Sequence, residues 1–171
     1  MSELLDKMCQ NRRLDRAEWR KLLASRHTLD QTDLFHRAAA ERRRWYGEEI
    51  YVRGLIECGN ICKNNCLYCG IRRDNHHVAR YRLDRDTILD CCEKGYGWGF
   101  RTFVLQGGED PVLTPDWVAE TVGAIKARWP DCAVTLSLGE FDREIYQLWF
   151  DAGADRYLLR HETAHPAHYA K

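Results

Sequence analysis

Three cysteines stand close together in one short segment, which we call the cysteine loop (residues 62–73). Cys62, Cys66 and Cys69 are separated by three and then by two residues. Thiolates at this spacing can bind three irons of a cubic iron–sulfur cluster. Because no equally spaced fourth cysteine follows, the fourth iron of such a cluster stays open. The loop therefore predicts a metal centre at which a substrate or cosubstrate binds.

Zinc is the main alternative for this loop, because thiolates also bind zinc well. Structural zinc sites usually take paired C-x2-C elements or histidines, and here the fourth ligand would have to be Cys58, His76 or His77. A third interpretation is that the thiols are simply buried. We expect Cys58 to pack at the end of a strand, and we expect free, buried or half-exposed thiols at Cys9, Cys91, Cys92 and Cys132.

The composition predicts one soluble domain with a core, since 44% of the 171 residues are hydrophobic. Lys plus Arg equals Asp plus Glu at 26 each, so no general charge attracts nucleic acid or an acidic membrane. The first residues lack the basic and apolar regions of a secretory signal. We therefore expect a cytoplasmic protein with reduced cysteines and no nucleic-acid or membrane partner.

The elements that must position the loop change character near residue 47. Residues 1–47 predict a helical segment of three helices, the second capped by Asp15 and the third by Thr32. Residues 48–171 predict strands that alternate with helices, the helices beginning after Asp84, at Thr114 and at Phe141. The predicted strands cover 50–56, 103–105, 133–138 and 157–159. Helices between strands indicate parallel pairing with right-handed crossovers.

Four polar segments follow the four predicted strands: the cysteine loop, 106–110, 137–140 and 160–163. Parallel strands bring these segments to one end of the sheet, where α/β proteins carry their chemistry. Gly107 and Gly108 allow close backbone approach, and Glu109 can accept hydrogen bonds from an amine. Arg160 can hold a carboxylate and shares a strand face with Glu162, although a structural ion pair is the alternative.

The cysteine spacing, with Tyr68 before the last cysteine, resembles the signature of radical S-adenosylmethionine (SAM) enzymes. Longer strings narrow the resemblance to the HydE family of [FeFe]-hydrogenase maturases, with biotin synthase and methylornithine synthase as more distant relatives. These strings are residues 64–75, 80–82, 104–110, 135–140 and 155–164. The resemblance runs through nearly the whole chain. It departs at Glu57-Cys58-Gly59-Asn60, where relatives commonly read Glu-Phe-Ser-Asn.

The resemblance implies a (β/α)8 TIM-barrel fold with a [4Fe-4S] cluster and SAM as cofactors. A complete barrel needs about 250 residues, so this chain would hold an N-terminal half with about four βα units. The implied activity is reductive cleavage of SAM to methionine and a 5′-deoxyadenosyl radical, during assembly of the hydrogenase di-iron subcluster. The implied partners are a small-molecule or iron-complex substrate, a reductant such as ferredoxin or flavodoxin, and other hydrogenase maturases.

The resemblance also assigns roles to residues. It implies cluster ligation by Cys62, Cys66 and Cys69. It implies SAM contacts by Tyr68, Gly107, Gly108, Glu109 and Glu162. It implies that the substrate cavity is lined by Thr135, Ser137, Glu140 and Arg160. The alternatives are another biotin-synthase-like or methylornithine-synthase-like enzyme, a non-catalytic zinc module, and an inactive fragment.

Overall fold

The computed structural model describes residues 2–11, 13–25, 27 and 31–169. It divides the chain into two compact units, Met1–Tyr51 and Val52–Lys171. The first unit contains the helices α1 (Ser2–Asn11), α2 (Arg16–Ala24) and α3 (Gln31–Tyr46). No helix within the described residues is both long and apolar enough to cross a membrane.

The predicted start of α2 is confirmed, whereas that of α3 is wrong. The Asp15 carboxylate accepts the Glu18 N–H at 2.8 Å, and the Glu18 carboxylate accepts the Asp15 N–H at 2.8 Å. These reciprocal bonds satisfy free donors at the helix start. Helix α3 already includes Gln31, so Thr32 lies within its first turn. A capping residue needs an extended backbone just before the helix, and Thr32 is not in that position.

The second unit is a parallel four-stranded sheet with helices, which confirms the predicted α/β class and the order of half a TIM-type barrel. Its elements are β1 (Gly54–Gly59), α4 (Arg85–Gly97), β2 (Thr102–Gly107), α5 (Pro115–Arg128), β3 (Ala133–Ser137), α6 (Arg143–Asp151), β4 (Arg156–Tyr157) and α7 (Pro166–Tyr169). The strands lie in the order β1-β2-β3-β4, and every pair is parallel. All four βα junctions therefore lie at one end of the sheet.

Strand β1 and helix α6 begin later than predicted, and one short helix was missed. Strand β1 begins at Gly54, which pairs with Phe103, so the predicted strand residues 50–53 belong to no strand, and they are exposed. Strand propensity alone forms no strand without a neighbour that accepts its hydrogen bonds. Helix α6 begins two residues later than predicted, because Asp142 takes the N-cap position. The short helix α7 was not predicted.

The core lies between the sheet and its helices. One strand face is fully buried against α4, α5 and α6 through Phe103, Leu105, Val134 and Leu136. Because side chains alternate along a strand, Thr135 and Ser137 face the opposite side of the sheet. The predicted caps hold α4 and α5: Asp84 accepts from the Thr87 N–H at 2.8 Å, and Thr114 accepts from the Trp117 N–H at 3.2 Å.

Two helical glycines are expected to respond to alanine with opposite signs. A Cβ at Gly123 in α5 would meet no atom within 4 Å, so Gly123→Ala should raise the free energy of unfolding by about 0.5–1 kcal/mol. A Cβ at Gly95 in α4 would lie 2.8 Å from Cε1 of the buried Phe103 ring. Gly95→Ala should therefore lower that free energy by about 1–3 kcal/mol. Urea unfolding of both variants tests this, and stabilisation by both would contradict the packing of α4 on β2.

Candidate functional site

A cavity of about 510 Å³ lies at the carboxyl ends of the strands. Every βα junction contributes to its lining, as expected for parallel strands. The predicted site residues that line it are Cys62, Cys66, Tyr68, Cys69, Gly107, Glu109, Ser137, Glu140, Arg160 and Glu162. Two predicted residues, Gly108 and Thr135, lie outside this lining. Residues far apart in the chain thus meet around one space.

The three cysteines of the loop are half-buried free thiols on this lining. The loop turns between two of them, where the Cys69 N–H donates to the Cys66 carbonyl oxygen at 3.0 Å. In the described part of the chain, no three His, Cys, Asp or Glu side chains are placed so that they could all bind one metal ion. A cubic cluster does not require such convergence, since each thiolate binds a different iron. The donor set therefore fits an iron–sulfur cluster.

Gly108 is not part of the cavity lining but packs against the start of the cysteine loop. A Cβ at this position would lie 2.4 Å from the Ile61 carbonyl oxygen and 2.6 Å from the Cys62 Cβ. No side chain fits at such distances, so only glycine lets the β2 junction lie directly against the cysteine loop. The close approach predicted for this glycine is real, but the neighbour is the protein's own loop.

Glu109 joins the first two junctions. Its side chain is 14% exposed, and its carboxylate accepts from Lys63 Nζ at 3.0 Å and from Asn64 Nδ2 at 2.9 Å. Its backbone carbonyl oxygen also accepts the Lys63 N–H at 2.9 Å. Lys63 thus provides an ammonium partner for Glu109 from within the chain, whereas the amine predicted for Glu109 belongs to a bound ligand. The sequence reading missed Lys63 and Asn64, because nothing in the spacing of residues 63 and 109 indicates that they meet.

Gly139 lets the third junction close over Glu109. Its φ of +111° is unfavourable for residues with a side chain, and a Cβ there would lie 2.0 Å from the Glu109 Cγ. The Tyr157 hydroxyl donates to the Gly139 carbonyl oxygen at 2.7 Å and accepts the Leu138 N–H at 3.2 Å. Burial raises the pKa of Tyr157 well above its ordinary value. The sequence offered a signal for Gly139, a glycine directly after the predicted strand 133–138, but none for Tyr157.

The fourth junction and α7 complete the rim of the cavity. Arg160 and Glu162 are exposed there. Tyr68 of the first junction and Glu162 of the fourth line the same cavity, and partial desolvation and the negative charge of Glu162 raise the pKa of Tyr68. The Tyr169 hydroxyl donates to Glu140 Oε1 at 2.8 Å, a contact that the sequence did not suggest.

Thr135 stands apart from the other predicted substrate residues. It is 4% exposed, and its Oγ1 has no hydrogen-bond partner among the described residues. A buried hydroxyl without a partner is energetically costly. A ligand that makes one hydrogen bond to this hydroxyl would satisfy it, on the face of β3 that points away from the helices.

Cys58, Cys91, Cys92 and Cys132 lie outside the cavity lining. Cys58 is 2% exposed, its thiol donates to the Ile56 carbonyl oxygen at 3.7 Å, and burial raises its pKa to about 12. A thiol that resists ionisation is a poor metal ligand, so Cys58 packs in the core as predicted. Cys92 and Cys132 are also buried, while Cys9 and Cys91 are exposed free thiols.

The loop that carries Gly108 and Glu109 is anchored by an ion pair. Asp110 has a side chain only 2% exposed and accepts from Arg82 Nε at 2.6 Å and Arg82 Nη2 at 2.8 Å. Burial of Asp110 opposes its ionisation, but hydrogen bonds from Arg82 and the Val112 N–H outweigh burial and lower its pKa. A carboxyl whose folded pKa is lowered stabilises the fold above its unfolded pKa and loses that contribution as pH falls through the folded value.

Asp110→Asn is therefore expected to destabilise the fold in a pH-dependent way. The loss should be about 1–2 kcal/mol near neutral pH and should shrink below about pH 4, where the native carboxyl also becomes neutral. Urea unfolding at a series of pH values measures the difference. The control is Asp131→Asn, whose exposed pair with Arg101 should contribute less than about 1 kcal/mol. A pH-independent difference for Asp110→Asn would contradict this assignment.

The amino-acid sequence of this chain is similar to those of known proteins. Residues 56–171 match the sequence profile of the Radical SAM superfamily. The chain is 43% identical over 169 residues to the [FeFe] hydrogenase maturase subunit HydE of Thermotoga maritima, covering 99% of this chain and 48% of the relative. It is 28% identical over 133 residues to biotin synthase of Staphylococcus aureus, covering 75% of this chain and 40% of the relative.

A solved structure gives the same result for the fold. The crystal structure of methylornithine synthase (PylB) superposes with a TM-score of 0.76 at 26% identity, covering 91% of this chain and 46% of that chain. The chain thus spans about half the length of the relatives it matches, and the matched half includes the cysteine loop and all four junctions.

Proposed function

Because the chain belongs to the radical SAM superfamily, whose members use a [4Fe-4S] cluster and SAM, we propose that it provides the cluster site and much of the SAM site of a HydE-like maturase. Cys62, Cys66 and Cys69 would hold three irons of the cluster. The observation that carries the proposal is the single cavity onto which these thiols and the polar ends of three further strands open. When bound, the cluster would supply the electron that cleaves SAM reductively.

The second junction would receive the amino acid moiety of SAM. Glu109 is a half-buried carboxylate on the cavity lining, and it already accepts a hydrogen bond from the Lys63 ammonium at 3.0 Å. A carboxylate that binds one ammonium can bind another of the same geometry. Gly107 would leave room for SAM beside Glu109, and Gly108 lets the second junction pack against the cysteine loop. Tyr68 would lie beside the adenine, and Glu162 would make a further SAM contact.

The substrate would bind on the face of the sheet that points away from the helices. Arg160 offers a guanidinium suited to an anionic group, and the Thr135 hydroxyl is buried without a partner in the described residues. Ser137 and Glu140 complete this proposed lining. We propose a small anionic molecule or an iron complex as the substrate class.

The proposed role in the cell rests on the similarity to HydE and not on the shape of the cavity. The 43% identity to HydE supports a function in assembling the di-iron subcluster of [FeFe]-hydrogenase, together with other maturases. A cytoplasmic location and a reductant such as ferredoxin or flavodoxin stay predictions from the sequence.

Anaerobic reconstitution with iron and sulfide tests the proposal. We expect about four irons and four sulfides per chain, as the cubic cluster requires, and a reduced cluster whose electron paramagnetic resonance (EPR) spectrum changes when SAM is added. A spectrum indifferent to SAM would contradict the proposed cosubstrate site. One tightly held zinc without sulfide would instead support a zinc module.

A further inference from the structure

We infer that Arg80 is the positioning residue that fixes the shape of the cysteine loop, an inference that rests on the proposed function of that loop. Arg80 lies outside the loop and does not line the cavity. Its guanidinium nevertheless binds backbone carbonyl groups on both sides of the three cysteines, one before the loop and others at its end. The spacing of the three thiols is thereby tied to one side chain.

The acceptors of Arg80 show this role directly. Nη1 donates to the carbonyl oxygen of Asn60, before the loop, and to that of Ile71 at 2.9 Å. Nη2 donates to the carbonyl oxygens of Arg72 at 2.7 Å and Asn75 at 2.9 Å. Cys62 lies between the first acceptor and the others, and so do Cys66 and Cys69. A rigid planar fork with several N–H donors can hold carbonyls in fixed directions, whereas an ammonium cannot.

Arg80 is itself held in place by its neighbours. Asn60 Nδ2 donates to the Ala79 carbonyl oxygen at 2.7 Å, and Asn60 Oδ1 accepts the Tyr81 N–H at 2.8 Å. The Asn60 N–H donates to the Tyr81 carbonyl oxygen at 3.2 Å. These three bonds join the residues on either side of Arg80 to Asn60, just before the cysteine loop. The backbone of Arg80 is therefore fixed at a position from which the guanidinium reaches the end of the loop.

The loop needs such support because it has little regular structure of its own. Between β1 and α4 the described residues form no helix or strand, and the bonds that cross the loop include Arg73 N–H to the Asn64 carbonyl oxygen at 2.8 Å. Ordering an irregular segment costs about 1–2 kcal/mol per residue in backbone entropy. Hydrogen bonds from a charged donor offset part of that cost before any metal is present, so the thiol spacing is set in advance.

The test compares Arg80→Lys with Arg101→Lys in the full chain. Arg101 is a matched control, because its guanidinium also donates to two backbone carbonyls, those of Tyr96 at 3.2 Å and Phe100 at 2.8 Å, far from the loop in sequence. In the metal-free protein, Arg80→Lys should speed amide hydrogen exchange at Cys69 and Arg73 by about tenfold or more, with the global unfolding midpoint changed no more than in Arg101→Lys.

In the reconstituted protein, Arg80→Lys should lose iron to a chelator about tenfold faster, and its reduced cluster should give a broadened EPR spectrum when SAM is added. Arg101→Lys should change neither property. Unchanged loop exchange and iron loss in Arg80→Lys would overturn the inference. Failure of the unsubstituted chain to form any cluster would instead overturn the proposed function, while the exchange measurement on metal-free protein would still decide the role of Arg80.

Discussion

Replacing Cys66 by serine is expected to abolish binding of the iron–sulfur cluster. Cys66 is the central of three half-buried thiols on the cavity lining, and a serine hydroxyl does not ionise to replace a thiolate ligand at neutral pH. Two remaining thiols would hold only two irons. Iron and sulfide contents per chain after anaerobic reconstitution, together with the visible absorbance of the cluster, measure the loss.

The control for this change is Cys91→Ser. Cys91 is an exposed free thiol in α4, outside the cavity lining, so its substitution should leave iron and sulfide contents unchanged. Equal loss in both variants would show that the ligand assignment is wrong. Retention of the full cluster by Cys66→Ser would show the same.

Adding a single methyl group at Gly108 is expected to prevent stable cluster binding as well. The Cβ of Gly108→Ala would lie 2.4 Å from the Ile61 carbonyl oxygen and 2.6 Å from the Cys62 Cβ. The carbonyl oxygen belongs to the backbone and the Cβ is fixed to it, so neither atom can yield as the end of a flexible side chain can. The loop must therefore move away from β2, at a cost of about 1–3 kcal/mol in the free energy of unfolding, and Cys62 must move with it.

Gly70→Ala provides the matched comparison within the same loop. A Cβ at Gly70 would meet nothing within 4 Å, so this variant should keep both its cluster and its stability. Cluster content and urea unfolding of the two variants distinguish a specific steric effect from general sensitivity of the loop to alanine. Normal cluster content in Gly108→Ala would contradict the close packing of the two junctions.

The sequence predicted the order of elements because local signals determine it. The caps Asp15, Asp84 and Thr114 bind backbone N–H groups within their own helix, so the sequence around each cap contains all the partners. The start of β1 was predicted four residues too early, because its true limit depends on where β2 begins. Pairing partners distant in sequence, rather than propensity, set the ends of strands.

In the candidate site, too, local patterns were predicted and contacts between distant residues were not. Cys62, Cys66 and Cys69 were identified from their spacing, and the convergence of the four junctions followed from parallel topology. The contacts between junctions could not be predicted. Lys63 with Glu109 and Tyr169 with Glu140 are pairs 46 and 29 residues apart in sequence. Such contacts depend on how far each loop folds over the sheet, and a single sequence does not encode that distance in any short pattern.

The cation that already neutralises Glu109 has a consequence for ligand recognition. The Lys63 side chain is 58% exposed and flexible, while the Glu109 side chain is 14% exposed. The lysine ammonium can therefore return to solvent at little cost, whereas a half-buried carboxylate without a cation is costly. An arriving α-ammonium group would take over the same oxygen, and one positive charge would be exchanged for another. Because this swap leaves the charge balance of the carboxylate unchanged, we expect its part of the binding free energy to vary little with ionic strength.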